Sequence, residues 1–591
     1  MIKKLLLSLV VIILVFISWF TWYNLKSDDP MTVITELPSD VQPKYDSSDD
    51  WWKSTTVYQI YPRSYYDSDG DGIGDLAGII QKLDYIDSIG FETIWISPFF
   101  QSPQEDHGYD IANFREIDPE YGDLELADSL IAEVHRRDMR IVFDMVLNHT
   151  SDQHEWFLES KSSRDNPKSD WYVWRDGKKD APPNNWKNIV GQESAWKYNE
   201  ARDQWYYAAF LPFQPDLNMR NPEVKAAVFD MARFWLDRGV DGFRLDIFNF
   251  IFEDEQLRDN PFTFRYLPDF DNRKWLFRNH LYNFHQPEVI AYAKELRKVL
   301  EDYQEEKFMV GEVFGSHHHM RELLGMESHD GLNLVFLFDI VEEFEFSADF
   351  FRSKLSEFEA AYPKPLAPTY VFGNHDQPRI LSRVNNDPEK HEVLATFQYT
   401  ARGVPFTYMG EEIGMHSGDI PFEEAQDPLA SYWVDLPELI RENSPIFNRD
   451  NCRTPMQWNS EANAGFTTGP DTWLPVEKHY KEINVAKSEA DRSSLLHLYR
   501  DIIHLRNSHP ALQTGDLELI TEDALPDNIL AYHRQSPEEK LLILLNFSEK
   551  EALIDAQRLN LPSETLYARR AQSDGKNLTL GGFGIAIYRL P

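Results

Sequence analysis

Eight short apolar runs, separated by helical patterns, constrain this chain more than any other feature. They are TVYQIY (56–61), ETIWIS (92–97), RIVFDMV (140–146), DGFRLDIF (241–248), FMVGEVF (308–314), LNLVFLF (332–338), TYVFG (369–373) and PFTYMG (405–410). Strand-like runs that alternate with helices argue for a parallel sheet, and eight of them for a closed (β/α)8 TIM barrel. The helices between them are legible too. In NPEVKAAVFDMARFWL, Asn221 can cap and Pro222 suits the first turn, while Val224, Val228, Met231 and Trp235 recur at helical spacing. Val289, Ala293, Leu296 and Leu300 do the same in QPEVIAYAKELRKVL.

Three stretches interrupt this rhythm. Residues 147–219 follow the third strand and are rich in Trp, Asn, Asp and Pro. A structureless loop of that length is improbable inside a compact domain, so a small inserted domain is expected there. Residues 249–284 and 411–492 are further insertions, after the fourth and eighth strands. Beyond residue 510 the pattern turns to strands and turns (ILAYHR, KLLILLNF, GIAIYRL), which predicts a C-terminal antiparallel β domain. The expected division is an N-terminal segment over 1–50, a barrel over 51–146 and 220–509, an inserted domain over 147–219, and a β-sandwich over 510–591.

The N-terminus adds an expectation of another kind. After MIKK comes LLLSLVVIILVFISWFTWY (5–23), uncharged and about long enough to span a bilayer as a helix. Trp19, Trp22 and Tyr23 would mark the far interface, and Lys3 and Lys4 the cytoplasmic side. This predicts a single transmembrane segment, a polar tether over 24–50, and a catalytic domain held outside the cytoplasm. Cleavage of the segment as a signal peptide would give a secreted protein instead. The net charge of −39, from 98 acidic and 59 basic residues, repels phosphate backbones and argues against a nucleic-acid partner. The single cysteine, Cys452, excludes an intramolecular disulfide and a zinc site of clustered cysteines.

Barrel enzymes keep their chemistry at the C-terminal ends of the strands. In this chain those ends carry acids: Asp144 after the third strand's apolar run, Asp246 on the fourth, Glu312 on the fifth and Asp376 on the seventh. Arg244 stands two places before Asp246, so both face the same side of the strand. A guanidinium so close favours the ionised aspartate. Glu312 follows the apolar FMVG, where desolvation favours the protonated acid. One ionised and one protonated carboxyl meet the requirement of glycoside hydrolysis.

With these residues in view, the chain resembles the α-amylase superfamily, glycoside hydrolase family 13, and within it the α-glucosidase and oligo-1,6-glucosidase group. DMVLNH (144–149), GFRLDIFN (242–249), VGEVF (310–314) and GNHDQPR (373–379) carry the resemblance, narrowed by QPDLN (214–218) and RTPMQW (453–458). It implies a retaining, exo-acting α-glucosidase that frees glucose from the non-reducing end of short isomalto- or malto-oligosaccharides by double displacement. Asp246 would be the nucleophile, Glu312 the acid and base, and Asp376 the third catalytic carboxylate. Asp106, Tyr109, His149, Arg244, His375 and Arg453 would bind the sugar, with an Asp106–Arg453 pair closing the pocket floor. Ile247, after the nucleophile, leans toward α-1,6 linkages without deciding between α-1,6 and α-1,4.

The loop DSDGDGIGD alternates acids with glycines, and oxygen ligands at that spacing suit Ca²⁺. The resemblance implies one structural calcium there, held by Asp67, Asp69, Asp71, Asp75 and the carbonyl of Ile73. Two alternatives stay open at this stage. A transglucosidase or sucrose isomerase would use the same residues, and a non-enzymatic, membrane-anchored amylase-like transporter heavy chain would not use the carboxylates at all.

Overall fold

A computed structural model describes residues 2–25, 50–189, 193–266, 269, 272–275, 277–434, 448–520, 525–557, 559, 561 and 565–591. Eight parallel strands form its centre: β1 (Val57–Ile60), β2 (Thr93–Ile96), β3 (Arg140–Met145), β4 (Gly242–Leu245), β5 (Phe308–Gly311), β6 (Leu334–Val335), β7 (Thr369–Val371) and β8 (Val404–Tyr408). Their order is β6-β5-β4-β3-β2-β1-β8-β7, every neighbouring pair parallel. Between β6 and β7 a hydroxyl stands in for backbone pairing. Leu337 N–H donates to Thr369 Oγ1 (3.0 Å), which donates to the Val335 carbonyl (2.9 Å).

Side chains fill the barrel. Trp95, Val142, Phe308, Val310, Leu334, Phe336 and Phe406 are all buried in one cluster, with Phe336 and Phe406 edge to face at 4.9 Å. Such an interior excludes water from the strand ends above it. The helix Pro222–Asp237 begins as its sequence dictates: the Asn221 side chain accepts from Glu223 N–H and Pro222 opens the first turn. Its buried face is Val224, Val228, Met231 and Trp235, and Trp235 Nε1 donates to the Phe114 carbonyl (2.9 Å). Asp75, Asp123, Ser347 and Ser494 cap four other helices in the same way.

Within 147–219, strands Trp174–Arg175, Gln204–Tyr207 and Trp196–Asn199 form a small antiparallel sheet over Trp186, Trp196 and Tyr207. From Asp516 onward six antiparallel strands form a separate sheet. Arg534, fully buried, ties that sheet to the barrel by donating to the carbonyls of Thr400, Ala401 and Gly515.

The N-terminal expectation fails. Among the described residues no helix is long and apolar enough to cross a membrane, which removes the transmembrane segment and the membrane-anchored location built on it. The apolar run lies in the helix Ile2–Leu25, whose last turns are committed to protein contacts. Trp19 meets Phe264 edge to face at 5.5 Å, and Phe20 lies 6.1 Å from Phe277. Asn24 Nδ2 donates to the Phe264 carbonyl (3.2 Å), Tyr266 N–H to Asn24 Oδ1 (2.6 Å), and Arg265 to the Tyr23 carbonyl (2.6 Å). Trp19 thus sits against the insertion after β4 with Tyr23 stacked on it, while Trp22 stays largely exposed. The tether falls, over 26–49, outside the described residues.

Truncating one interior ring tests the packing. Phe406→Ala is expected to cost about 3–5 kcal/mol, the usual penalty for emptying an aromatic core site. It would be read as a lower urea unfolding midpoint, and an unchanged midpoint would mean that the barrel interior is not close-packed.

Candidate active site

Strand register assembles the first part of the site. Asp144 on β3 is directly opposite Arg244 on β4, and Leu245 is opposite Gly311, one residue before Glu312. Arg244, 1% exposed, therefore lies among three carboxyls. Its Nη1 donates to Asp144 (2.8 and 3.0 Å) and to Asp246 Oδ1 (2.7 Å), and its Nη2 to Glu312 Oε2 (2.5 Å). Asp144 also accepts from Tyr109 Oη (3.1 Å) and Trp95 Nε1 (3.3 Å). After Asp246 the chain turns sharply, and Ile247 takes φ +37°, ψ +44°. That region is costly for a β-branched residue. Here it aims the Ile247 N–H at Glu312 Oε2 (3.3 Å).

Three carboxyls and one cation cannot all be ionised cheaply out of water. Burial pushes Asp246 up to about 7, with Arg244 acting against it. Burial pushes Glu312 up to about 8, with Arg244 again opposing and the charges of Asp246 and Asp376 adding to the rise. Burial also pushes up Asp144, which takes contacts from Arg244 on both its oxygens, to about 6. Burial thus favours the protonated form at both Asp246 and Glu312, and Arg244 opposes it at both.

The second part of the site comes from β7. His375 stacks on Tyr109 with ring centroids 5.3 Å apart and planes 5° from parallel. Gln59 Nε2 donates to His375 Nδ1 (2.8 Å), which leaves Nε2–H for Tyr109 Oη (2.6 Å) and Asp376 Oδ2 (3.2 Å). Burial lowers His375 to about 3, so the ring is neutral. His149 is also buried and is lowered to about 4; its Nε2 lies 3.2 Å from the Tyr109 carbonyl oxygen. Asp376 behaves in the opposite sense to Asp246. Burial pushes it upward, but the charges of His375, Arg449, Arg453 and Arg244 outweigh this and hold it well below the carboxylate range. With His375 neutral, the guanidiniums carry that effect.

The pair expected between Asp106 and Arg453 does not form. Arg453 donates from Nη2 to Asp376 Oδ1 (2.8 Å) and from Nε to the His375 carbonyl (2.8 Å). Asp106 instead accepts from Arg449 Nη2 (2.8 Å) and Gln214 Nε2 (2.9 Å). Arg449 also reaches Asp376 (3.0 Å) and Asp427 (2.8 and 3.0 Å). The reason is local: Arg449–Cys452 is a single 3-10 turn, so arginines at 449 and 453 both approach Asp376, and the earlier one intercepts Asp106. Arg449 and Asp427 had no motif to announce them. Gln214 lay within a quoted motif, QPDLN, without a role.

In the acidic loop, single carboxylate oxygens of Asp67, Asp69 and Asp71 lie within 4.8 Å of one another. Asp75 stands apart: it accepts from Gly78 N–H as a helix cap and from Ser68 N–H and Oγ.

A model of the α-amylase catalytic domain matches residues 59–515. The chain belongs to the α-amylase family. It is 39% identical over 518 residues to a probable α-glucosidase of Rhizobium meliloti, covering 85% of this chain and 90% of that one. It is 38% identical over 542 residues to an oligo-1,6-glucosidase of Parageobacillus thermoglucosidasius, covering 88% and 93%. Among solved structures, the α-glucosyl transfer enzyme XgtA superposes with a TM-score of 0.81 at 35% identity, covering 92% and 99%. The trehalulose synthase MutB of Pseudomonas mesoacidophila does so with 0.81 at 33%, covering 91% and 99%.

The Arg449 cluster generates a stability prediction for this α-amylase-family chain. Arg449→Met would leave Asp106, Asp376 and the fully buried Asp427 without their shared cation, at a cost of about 3–5 kcal/mol at pH 7. Burial opposes ionisation of Asp427, yet Arg449 holds it down to about 2. Its contribution is therefore present above its unfolded value of about 3.9 and lost as pH falls through about 2. Urea unfolding should accordingly show a smaller gap between wild type and variant at pH 3 than at pH 7. A gap independent of pH would mean that Arg449 acts by packing alone.

Proposed function

We propose that this glycoside hydrolase is a retaining, exo-acting α-glucosidase that releases glucose from the non-reducing end of short α-glucosides. The observation that carries this reading is the single buried guanidinium of Arg244, which holds the carboxyls of Asp246 and Glu312 at one centre. In the first displacement the ionised Asp246 carboxylate attacks the anomeric carbon as Glu312 passes its proton to the departing glycosidic oxygen, forming a β-glucosyl ester. In the second, Glu312, now a base, takes a proton from water, which attacks the same carbon and frees Asp246. Asp376, kept ionised by Arg449 and Arg453, would accept hydrogen bonds from the sugar's hydroxyls. His149, His375 and Tyr109 are placed to line the innermost subsite, and neutral imidazoles there can donate to hydroxyls without repelling a cationic transition state. Relatives named α-glucosidase and oligo-1,6-glucosidase support the hydrolytic reading.

A second reading has its own support. The solved neighbours include glucosyl-transfer and sucrose-isomerising enzymes, and the same ester intermediate serves them when a sugar hydroxyl replaces water. Products formed at high substrate concentration distinguish the two.

Asp246→Asn should reduce glucose release to below about a hundredth of wild type with the fold intact, because an amide does not replace a carboxylate nucleophile. The profile of kcat/KM against pH should fall on the acid side as Asp246 takes up a proton, and on the alkaline side as Glu312 loses one. Glu312→Gln should abolish the alkaline limb and slow maltose more than an activated aryl glucoside, whose leaving group needs no proton. Equal losses on both substrates would remove Glu312 from the acid role.

We further infer that the acidic loop holds a structural Ca²⁺. The residues fit: three carboxylates converge, no Lys or Arg among the described residues pairs with them, and burial together with the charges of Asp69 and Asp67 raises Asp71. A hard cation relieves that repulsion. Chelation should lower the thermal midpoint and added Ca²⁺ restore it. Asp69→Ala should lack this response, and a wild type indifferent to chelator would refute the site.

A further inference from the structure

Away from the candidate site, three groups each combine histidine with carboxylate: His285, His319 and Glu322; His317, Asp339 and Glu357; and His416, Glu477 and His479. Two of them already contain a cation. In the first, Arg273 Nη2 lies 2.5 Å from His319 Nε2. In the second, Lys354 Nζ is 3.0 Å from Glu357 and 4.0 Å from Asp339. The third differs. Lys478, between two of its members in sequence, points outward to Asp419 (3.8 Å) with its side chain 69% exposed.

Glu477 poses the question that this group answers. Its side chain is only 3% exposed. It accepts from His479 N–H (3.0 Å) and Gln457 Nε2 (3.5 Å), and Oε1 lies 2.7 Å from His479 Nδ1. Among the described residues no Lys or Arg pairs with it, and its ion-pair partner is the imidazole of His479. The His416 ring lies against His479, centroids 4.6 Å apart. No protein atom among the described residues hydrogen-bonds to either His416 nitrogen.

We propose that His416, Glu477 and His479 form a binding site for a zinc-class divalent transition metal. One donor atom from each residue already lies within 4.8 Å of the other two. Tetrahedral zinc with bonds near 2.1 Å sets its ligands about 3.4 Å apart, so a shift of about an ångström closes the site. Two imidazoles and a carboxylate are a zinc-class donor set, whereas the all-oxygen loop at Asp67 suits calcium. Both rings are partly exposed, which leaves the fourth position to water. The metal adds a permanent positive charge beside the buried Glu477. It also staples the loop after β8, which carries His416, to the segment that follows Trp473. The Trp473 ring lies 6.2 Å from that of Tyr61, which stacks on His375 with centroids 5.7 Å apart, so the staple would steady a wall of the candidate active site.

The test uses the full chain, stripped of metal with a chelator, saturated with Ca²⁺, and titrated with Zn²⁺ against a chromophoric competitor. One equivalent should bind. His416→Ala and His479→Ala should each weaken it at least tenfold, and His319→Ala, in the arginine-occupied group, should not. Zn²⁺ should raise the thermal midpoint of wild type but not of the His416→Ala/His479→Ala double variant, whose circular dichroism reports whether it folds. Co²⁺ in place of Zn²⁺ should give a visible ligand-field spectrum that the double variant lacks. No Zn²⁺ uptake by wild type, equal uptake by the double variant, or loss of uptake in His319→Ala would each overturn the proposal.

Discussion

The arrangement depends on a guanidinium taken fully out of water and surrounded by carboxyls. Arg244 touches Asp144, Asp246 and Glu312 at once. Its single charge is too little to ionise all three and too much to leave them all neutral. The compromise is a set of raised proton affinities on groups within bonding distance of one centre. Removing the arginine would not merely delete a contact. It would leave a buried acidic cluster with no reason to keep any member charged.

The opposite wall is governed by an excess of cations. Arg449 and Arg453 converge on Asp376 from one 3-10 turn, and Asp376 stays ionised where Asp246 and Glu312 contend for protons. One site therefore holds acids in two electrical regimes, set by how many guanidiniums reach each. The parallel register of β3, β4 and β5 fixes the first regime, and the long excursion after β8 supplies the second. Between them runs a chain from Gln59 through His375 and Tyr109 to Asp144, which keeps two neutral groups aligned with the charged ones.

How much of this could be read beforehand follows from the range of the forces involved. Strand-end acids are legible because an apolar run that stops at Asp or Glu is a local pattern, so Asp246 and Glu312 stood out. The Arg244–Asp246 pairing was legible because residues two apart share a strand face. The partner of Asp106 was not, since whether Arg449 or Arg453 reaches it depends on a turn that brings together residues over 300 positions apart. The shared role of Asp75 as helix cap was likewise hidden behind its regular spacing with the other loop acids. The N-terminal run misled for a related reason. Hydropathy is a local property and does not show which distant residues a run will meet, and Phe264 and Phe277, which Trp19 and Phe20 contact, lie far along the chain.

The seam between β6 and β7 deserves a last consequence. Elsewhere around the barrel, adjacent strands are laced by their main chains, but at this junction one threonine hydroxyl does the lacing. A cylinder with one weak stave opens there first under heat or force. Asp376 follows β7 on one side of that stave, and Glu312 follows β5 beyond β6 on the other. The earliest loosening of the wall would thus spread the two acids apart while Arg244 still clasped Asp246 to Glu312, and the candidate site would lose its shape before the barrel came undone.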